Sequence, residues 1–238
     1  MLYVNGDSWT WNKNLQLETL WSNVVAKKIN KSCYNEAMGC GSNSRIVDCL
    51  RNQLIFGLKP DLIIIALTAH NRFHVPAENF GAWSISPSVA RNDRGSEANE
   101  QLKNILIKHC YNEVDSVYRY YRDIWTMDLL CKQFNCPYIF VQCWDRELEE
   151  LGLLQSTENI YNYVNKKYPK KTYYSQEYIR AFEKLRELSK DWPYTETALS
   201  KLLDDSVDYD ETHHPNDQGH RKIADKILEL LEERYYNA

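Results

Sequence analysis

Six consecutive apolar residues, Leu62-Ile63-Ile64-Ile65-Ala66-Leu67, follow Pro60-Asp61. A strand with one wet face alternates apolar and polar side chains. An unbroken run of this length predicts a strand buried on both faces, as in a parallel sheet covered by helices on either side. The rest of the chain follows that plan. Leu2 to Asn5 reads as a first strand, and Thr19 to Lys31 carries Leu20, Val24, Val25 and Ile29 at helical spacing. Cys33-Tyr34-Asn35 reads as a short strand. Ser42 and Asn43 are capping residue types ahead of a helix through Arg45, Ile46, Leu50 and Leu54. A long helix is expected from about Glu97 to Phe134, a strand from Pro137 to Gln142, and a last helix from near Asp217 through Ile223, Ala224, Ile227 and Leu231. Strand-helix alternation of this kind predicts an α/β protein, a three-layer α/β/α sandwich with a mainly parallel sheet.

The chain, 1–238, is expected to form one domain. Two stretches resist the scheme, about 80–96 and 151–192, and read as loops or insertions over the core. The formal charge of −4 gives no electrostatic footprint for nucleic acid. No apolar run approaches the roughly 20 residues of a membrane span, and no basic-then-apolar leader opens the chain. The seven cysteines (Cys33, Cys40, Cys49, Cys110, Cys131, Cys136 and Cys143) are scattered, without ligand spacing. They read as reduced thiols of a cytoplasmic protein that holds no metal.

Ligands of open α/β sheets bind beyond the carboxyl ends of the strands. Three segments fall there: Gly6-Asp7-Ser8, Thr68 to Arg72, and Cys143-Trp144-Asp145. Far along the chain stands Asp210-Glu211-Thr212-His213-His214-Pro215. A hydroxyl, an imidazole and a carboxylate are the parts of a nucleophilic triad, whose members meet in space rather than in sequence. The plainer reading of Gly-Asp-Ser is a turn, with Asp and Ser capping the next segment of chain.

Four short blocks in this order resemble the SGNH hydrolases, also called GDSL-type esterases and lipases. Gly6-Asp7-Ser8 looks like the block that carries the nucleophile. Asn35 to Asn43 looks like the block that supplies an oxyanion-hole glycine, and Ala66 to Arg72 like the one that supplies an asparagine. Asp210 to Gly219 resembles the block of the acid and the histidine. The resemblance implies a flavodoxin-like fold and no cofactor. It implies Ser8 as nucleophile, His214 as base and Asp210 as its acid, with His213 and Glu211 in reserve. Ser8, Gly41 and Asn71 are then the oxyanion donors. The pattern also departs. Trp9 stands where leucine is usual, and Cys40 holds the glycine position between Gly39 and Gly41. The third block keeps only its asparagine and continues with Arg72. His70 and His74 read as polar loop residues and His220 as a helix-face residue without a role. The expected partner is a small-molecule or carbohydrate acyl ester, because Trp9, Trp11, Trp83 and Trp144 would suit a sugar face. The alternative is a non-catalytic glycan-binding or assembly protein on the same fold. An anion site at Gly39 to Asn43 is a weaker reading, since no phosphate-loop lysine follows.

Overall fold

A computed structural model of the protein describes residues 1–11, 15–77, 81–85, 101, 104–105, 108, 113–143, 176–194 and 198–236. Its strands are β1 (Leu2–Asn5), β2 (Cys33–Asn35), β3 (Leu62–Leu67), β4 (Phe73–Ala77), β5 (Gly81–Ile85) and β6 (Tyr138–Gln142). The helices are α1 (Trp21–Lys28), α2 (Asn43–Ile55), α3 (Glu113–Gln133), α4 (Gln176–Leu188) and α5 (Asp217–Leu231). One sheet has the order β2-β1-β3-β6, and every pair in it is parallel. Leu2 stands opposite both Cys33 and Leu62, and Ile63 opposite Tyr138.

The two-residue period of a strand divides its side chains between the two faces of the sheet. Tyr3, Ile63, Ile65, Leu67 and Phe140 pack with Ile46 and Leu50 of α2, Ile124 and Met127 of α3, and Phe182 and Leu185 of α4. Leu2, Val4, Ile64, Ala66, Ile139 and Val141 pack with Trp21 and Val25 of α1 and with Ile223 and Ile227 of α5. All of Leu62–Leu67 is buried. The apolar run therefore serves two cores, one on each face, and the molecule is an α/β/α sandwich.

The helix ends follow from local chemistry. Ser42 Oγ accepts the Arg45 N–H at 3.3 Å and caps α2. Asn216 Oδ1 accepts from the N–H groups of Gln218 and Gly219 and caps α5. At the end of α3, Asn135 takes the left-handed conformation at φ 54°, and the Cys136 N–H returns to the Cys131 carbonyl.

Some expectations shift. The first helix is shorter than Thr19 to Lys31, with a 3-10 turn at Leu17–Thr19 ahead of it. The long helix is continuous over Glu113–Gln133, and much of its expected upstream part lies outside the described residues. The polar stretch from about 80 holds β5, paired antiparallel with β4. Within 151–192, residues 151–175 lie outside the described set, but 176–188 form a helix. Its signal was present in Ile179, Phe182 and Leu185, masked by the surrounding Tyr, Lys and Glu. Among the described residues no helix is long and apolar enough to cross a membrane.

Candidate active site

Because β1, β2 and β3 run parallel, the segments that leave their carboxyl ends emerge along one edge of the sheet. Ser8 lies half-buried in the turn that leaves β1. The turn is tightly built. Gly6 accepts no side chain without movement, since an added Cβ would stand 2.3 Å from Thr10 Oγ1 and 2.8 Å from Ala66 Cβ. Asp7 is fully buried, its Oδ1 accepting the Trp9 N–H at 2.9 Å and its carbonyl the Thr10 N–H at 2.9 Å. Below it, Asn5 Oδ1 accepts the Gly6 N–H, and Asn5 Nδ2 donates to the Tyr3 hydroxyl, which donates to Glu36. Burial, and then the Glu36 charge, push the Tyr3 phenol up, so it stays a neutral donor.

The segment after β2 is tied to this turn. The Met38 N–H donates to the Gly6 carbonyl at 3.2 Å, and a Cβ on Gly41 would lie 2.9 Å from that carbonyl oxygen. Asn43 exchanges two hydrogen bonds of 3.0 Å with the backbone of Thr68, binding the start of α2 to the end of β3. Arg72 completes the tie. Its Nη1 donates to Asp7 Oδ2 at 2.6 Å and to the Gly41 carbonyl at 3.4 Å. The Asp7 carboxylate is fully buried and the Arg72 side chain nearly so, at 0 and 9 % exposure. Cys143 is fully buried and close enough to feel both charges. Burial drives its thiol well up, Asp7 adds to the shift and Arg72 opposes it, which makes it an unreactive thiol. The residue that broke the third block's pattern is thus the ion-pair partner of the Gly-Asp-Ser aspartate.

Gly41 was expected to offer its N–H to an oxyanion. Instead that N–H donates to the Met38 carbonyl at 2.9 Å, closing its own turn. Cys40 beside it is exposed, with a left-handed backbone at φ 59°. Asn71 and His70 are half-buried in the turn after β3, where the Arg72 N–H reaches the Ala69 carbonyl. His74 falls on β4.

Aromatic packing joins the chain beside Ser8 to the chain beside the last block. Trp9, buried next to Ser8, meets Tyr209 edge-on at 5.7 Å between ring centroids. Trp21 Nε1 donates to the Trp9 carbonyl at 3.1 Å. The contact therefore joins the neighbours of Ser8 and of Asp210. Asp210 is half-buried. Its Oδ1 accepts the Thr212 N–H at 2.8 Å, the Thr212 hydroxyl at 2.6 Å and the His214 N–H at 3.1 Å. His214 is half-buried, whereas His213 and Glu211 are exposed. Thr212 Oγ1 stands 2.8 Å from His214 Nδ1. Of the tryptophans considered for a sugar face, Trp9 belongs to the core and Trp11 is exposed. The side chains of Trp83 and Trp144 lie outside the described residues.

His220, to which the sequence assigned no role, is fully buried on α5. Its Nδ1 accepts the Trp21 N–H at 3.3 Å and so serves the open start of α1, where Leu20 offers no side-chain cap. Its Nε2 is buried without a partner among the described residues. Burial lowers its pKa to about 4; Asp217 and Asp210 oppose the shift and His214 adds to it. In the unfolded chain an imidazole titrates near 6.5. Above that pH both states are neutral. As the pH falls toward 4 the unfolded chain takes up a proton that the folded one refuses, so stability declines. The expected loss is about 3 kcal/mol over this window, with none further below it. Urea unfolding at pH 7 and pH 4.5 should show His220→Gln losing less stability on acidification than wild type. Equal losses would contradict this assignment.

No family model matches the chain, and no curated protein matches it. Solved structures do. The chain is similar to the psychrotrophic esterase EstA from Pseudoalteromonas sp., with a TM-score of 0.50 and 12% identity over 100% of this chain and 98% of that one. It is also similar to a member of the lipolytic protein G-D-S-L family from Veillonella parvula, with a TM-score of 0.46 and 12% identity over 96% of each chain. The acetyl xylan esterase Est2A from Butyrivibrio proteoclasticus gives a TM-score of 0.49 and 13% identity, over 98% of this chain and 63% of that one. At such identity the likeness to EstA speaks for the fold alone, and the α/β fold implied by the resemblance of the four blocks is the fold observed.

Proposed function

We propose that the protein is a serine esterase that hydrolyses short acyl esters, with O-acetyl groups on carbohydrates as the first substrate class to consider. The Trp9–Tyr209 contact is the observation that carries this reading, because it joins the Ser8 turn to the loop of Asp210 and His214. In the reaction Ser8 Oγ attacks the ester carbonyl while His214 Nε2 takes its proton. The tetrahedral intermediate collapses, and the protonated imidazole gives that proton to the leaving alcohol. Water then attacks the acyl-enzyme by the same route. Asp210 stabilises the imidazolium without itself becoming protonated. The Ser8 N–H and the Asn71 side-chain amide serve the oxyanion, with a further N–H from the Gly39–Gly41 turn. Since Gly41 gives its own N–H to Met38, that donor falls to Gly39 or Cys40 once substrate is bound. Each such donor contributes about 3–4 kcal/mol to the transition state. Exposed Trp11, three residues past Ser8, supports an alcohol with an apolar sugar face. The thiols of the described residues, with no disulfide among them, suit a reducing compartment.

A panel of nitrophenyl acyl esters and acetylated sugars tests the substrate class. The expected result is turnover that falls as the acyl chain lengthens beyond a few carbons, and release of acetate from at least one acetylated sugar. Trp11→Ala should raise KM for the sugar ester more than for the nitrophenyl ester. Absence of turnover across the whole panel would favour a non-catalytic binding protein on this fold.

A further inference from the structure

We propose that Thr212 is a positioning residue whose hydroxyl links Asp210 to His214 and thereby sets the imidazole tautomer. The inference rests on the reading of Ser8 and His214 as nucleophile and base. Thr212 Oγ1 lies 2.6 Å from Asp210 Oδ1 and 2.8 Å from His214 Nδ1. A hydroxyl has one proton to give and lone pairs to receive with, while an ionised carboxylate only accepts. The Thr212 proton therefore goes to Asp210, at a distance in the range of O–H···O⁻ bonds. That leaves the oxygen's lone pairs facing Nδ1, so Nδ1 carries the imidazole's N–H. In the neutral ring the free lone pair is then on Nε2, the atom that must take the Ser8 proton.

The loop is built to hold this arrangement. Asp210 Oδ1 also accepts the backbone N–H groups of Thr212 and His214. The Asp210 N–H donates to the His214 carbonyl at 2.8 Å, and the His213 N–H to the Asp210 carbonyl at 3.0 Å. His213 sits at φ 58°, the left-handed conformation that lets so short a turn close. The carboxylate thus fixes Thr212 by two bonds while the hydroxyl fixes the ring. During catalysis the Ser8 proton resides on Nε2, the Nδ1 proton stays on its nitrogen, and the Thr212 proton stays on its oxygen. The link moves no proton: it holds the ring in one tautomer and transmits the field of Asp210 to the imidazolium.

The test uses the full chain with ¹⁵N-labelled histidine. Imidazole nitrogen shifts are recorded through a pH titration alongside kcat and KM for a short acyl ester. Wild-type His214 is expected as the Nδ1–H tautomer when neutral. Thr212→Val, and Thr212→Ala as a second variant, should give a tautomer mixture and an altered pH–rate profile. They should lower kcat by about tenfold or more with little change in KM. Thr212→Ser, which keeps the hydroxyl, should restore both tautomer and rate. Thr212 is exposed, so these changes leave the core untouched. An Nε2–H tautomer in wild type, or an unchanged tautomer and pH–rate profile in Thr212→Val, would overturn the proposal. If the tautomer responds as stated while wild type turns over no ester, the link stands and the esterase reading falls.

Discussion

Ser8→Ala and His214→Ala are each expected to lower kcat for a short acyl ester by about four orders of magnitude or more, and the double variant hardly further. On the proposed mechanism the pair acts as a unit: without the hydroxyl there is nothing for the imidazole to deprotonate, and without the imidazole the hydroxyl stays a weak nucleophile. KM should change little, because neither group binds the ground state strongly. Asp210→Ala should cost less, since the imidazole keeps basicity without its orienter. His213→Ala, at an exposed position, should retain most activity. A crippling effect at His213 with a mild one at His214 would move the base by one residue. Steady-state rates with the same ester distinguish these results.

Arg72→Met should be the most destabilising single change at the site. It strips a fully buried carboxylate of the guanidinium that neutralises it at 2.6 Å. Breaking a buried ion pair from one side costs roughly 3–5 kcal/mol, a large share of the total stability of a typical domain. It also removes the bond to the Gly41 carbonyl, loosening the contact between the Ser8 turn and the segment after β2. The paired change Asp7→Asn with Arg72→Met should recover much of the loss, because no charge is left buried and the amide oxygen can still accept the Trp9 N–H. Urea midpoints measure this directly. An Arg72→Met midpoint equal to that of wild type would mean the pair carries no structural weight.

The parts of the fold legible in the sequence are those fixed by local pattern. Leu62–Leu67 leaves no wet face, so its burial on both sides follows from the run itself. The short strand at Cys33–Asn35, the Ser42 cap and the start of the last helix at Asp217 were likewise written in a few adjacent residues. The antiparallel pair β4 and β5 was not, because its segments are short and carry polar and small residues without clear alternation. In the site, the order of the blocks showed which residue types were available, but not how they are held. Arg72 looked like a defect in the third block until its charge met Asp7, 65 positions away in sequence. The Trp9–Tyr209 contact and the burial of His220 against the start of α1 are long-range as well, and no periodicity encodes them. Gly41 shows the converse. A glycine one residue past the expected position, chosen for an oxyanion donor, is used for close approach to the Gly6 carbonyl, while its N–H closes a local turn.

We read Ser8 as an activated nucleophile. A fluorophosphonate reacts with such a hydroxyl, forming a phosphonyl–oxygen bond and releasing fluoride. Intact-mass and peptide-mapping measurements on the folded chain locate the adduct. One adduct per chain is expected on Ser8, formed much more slowly in His214→Ala and absent in Ser8→Ala. A folded chain that leaves Ser8 unmodified after prolonged exposure, or an adduct on another residue, would contradict the claim.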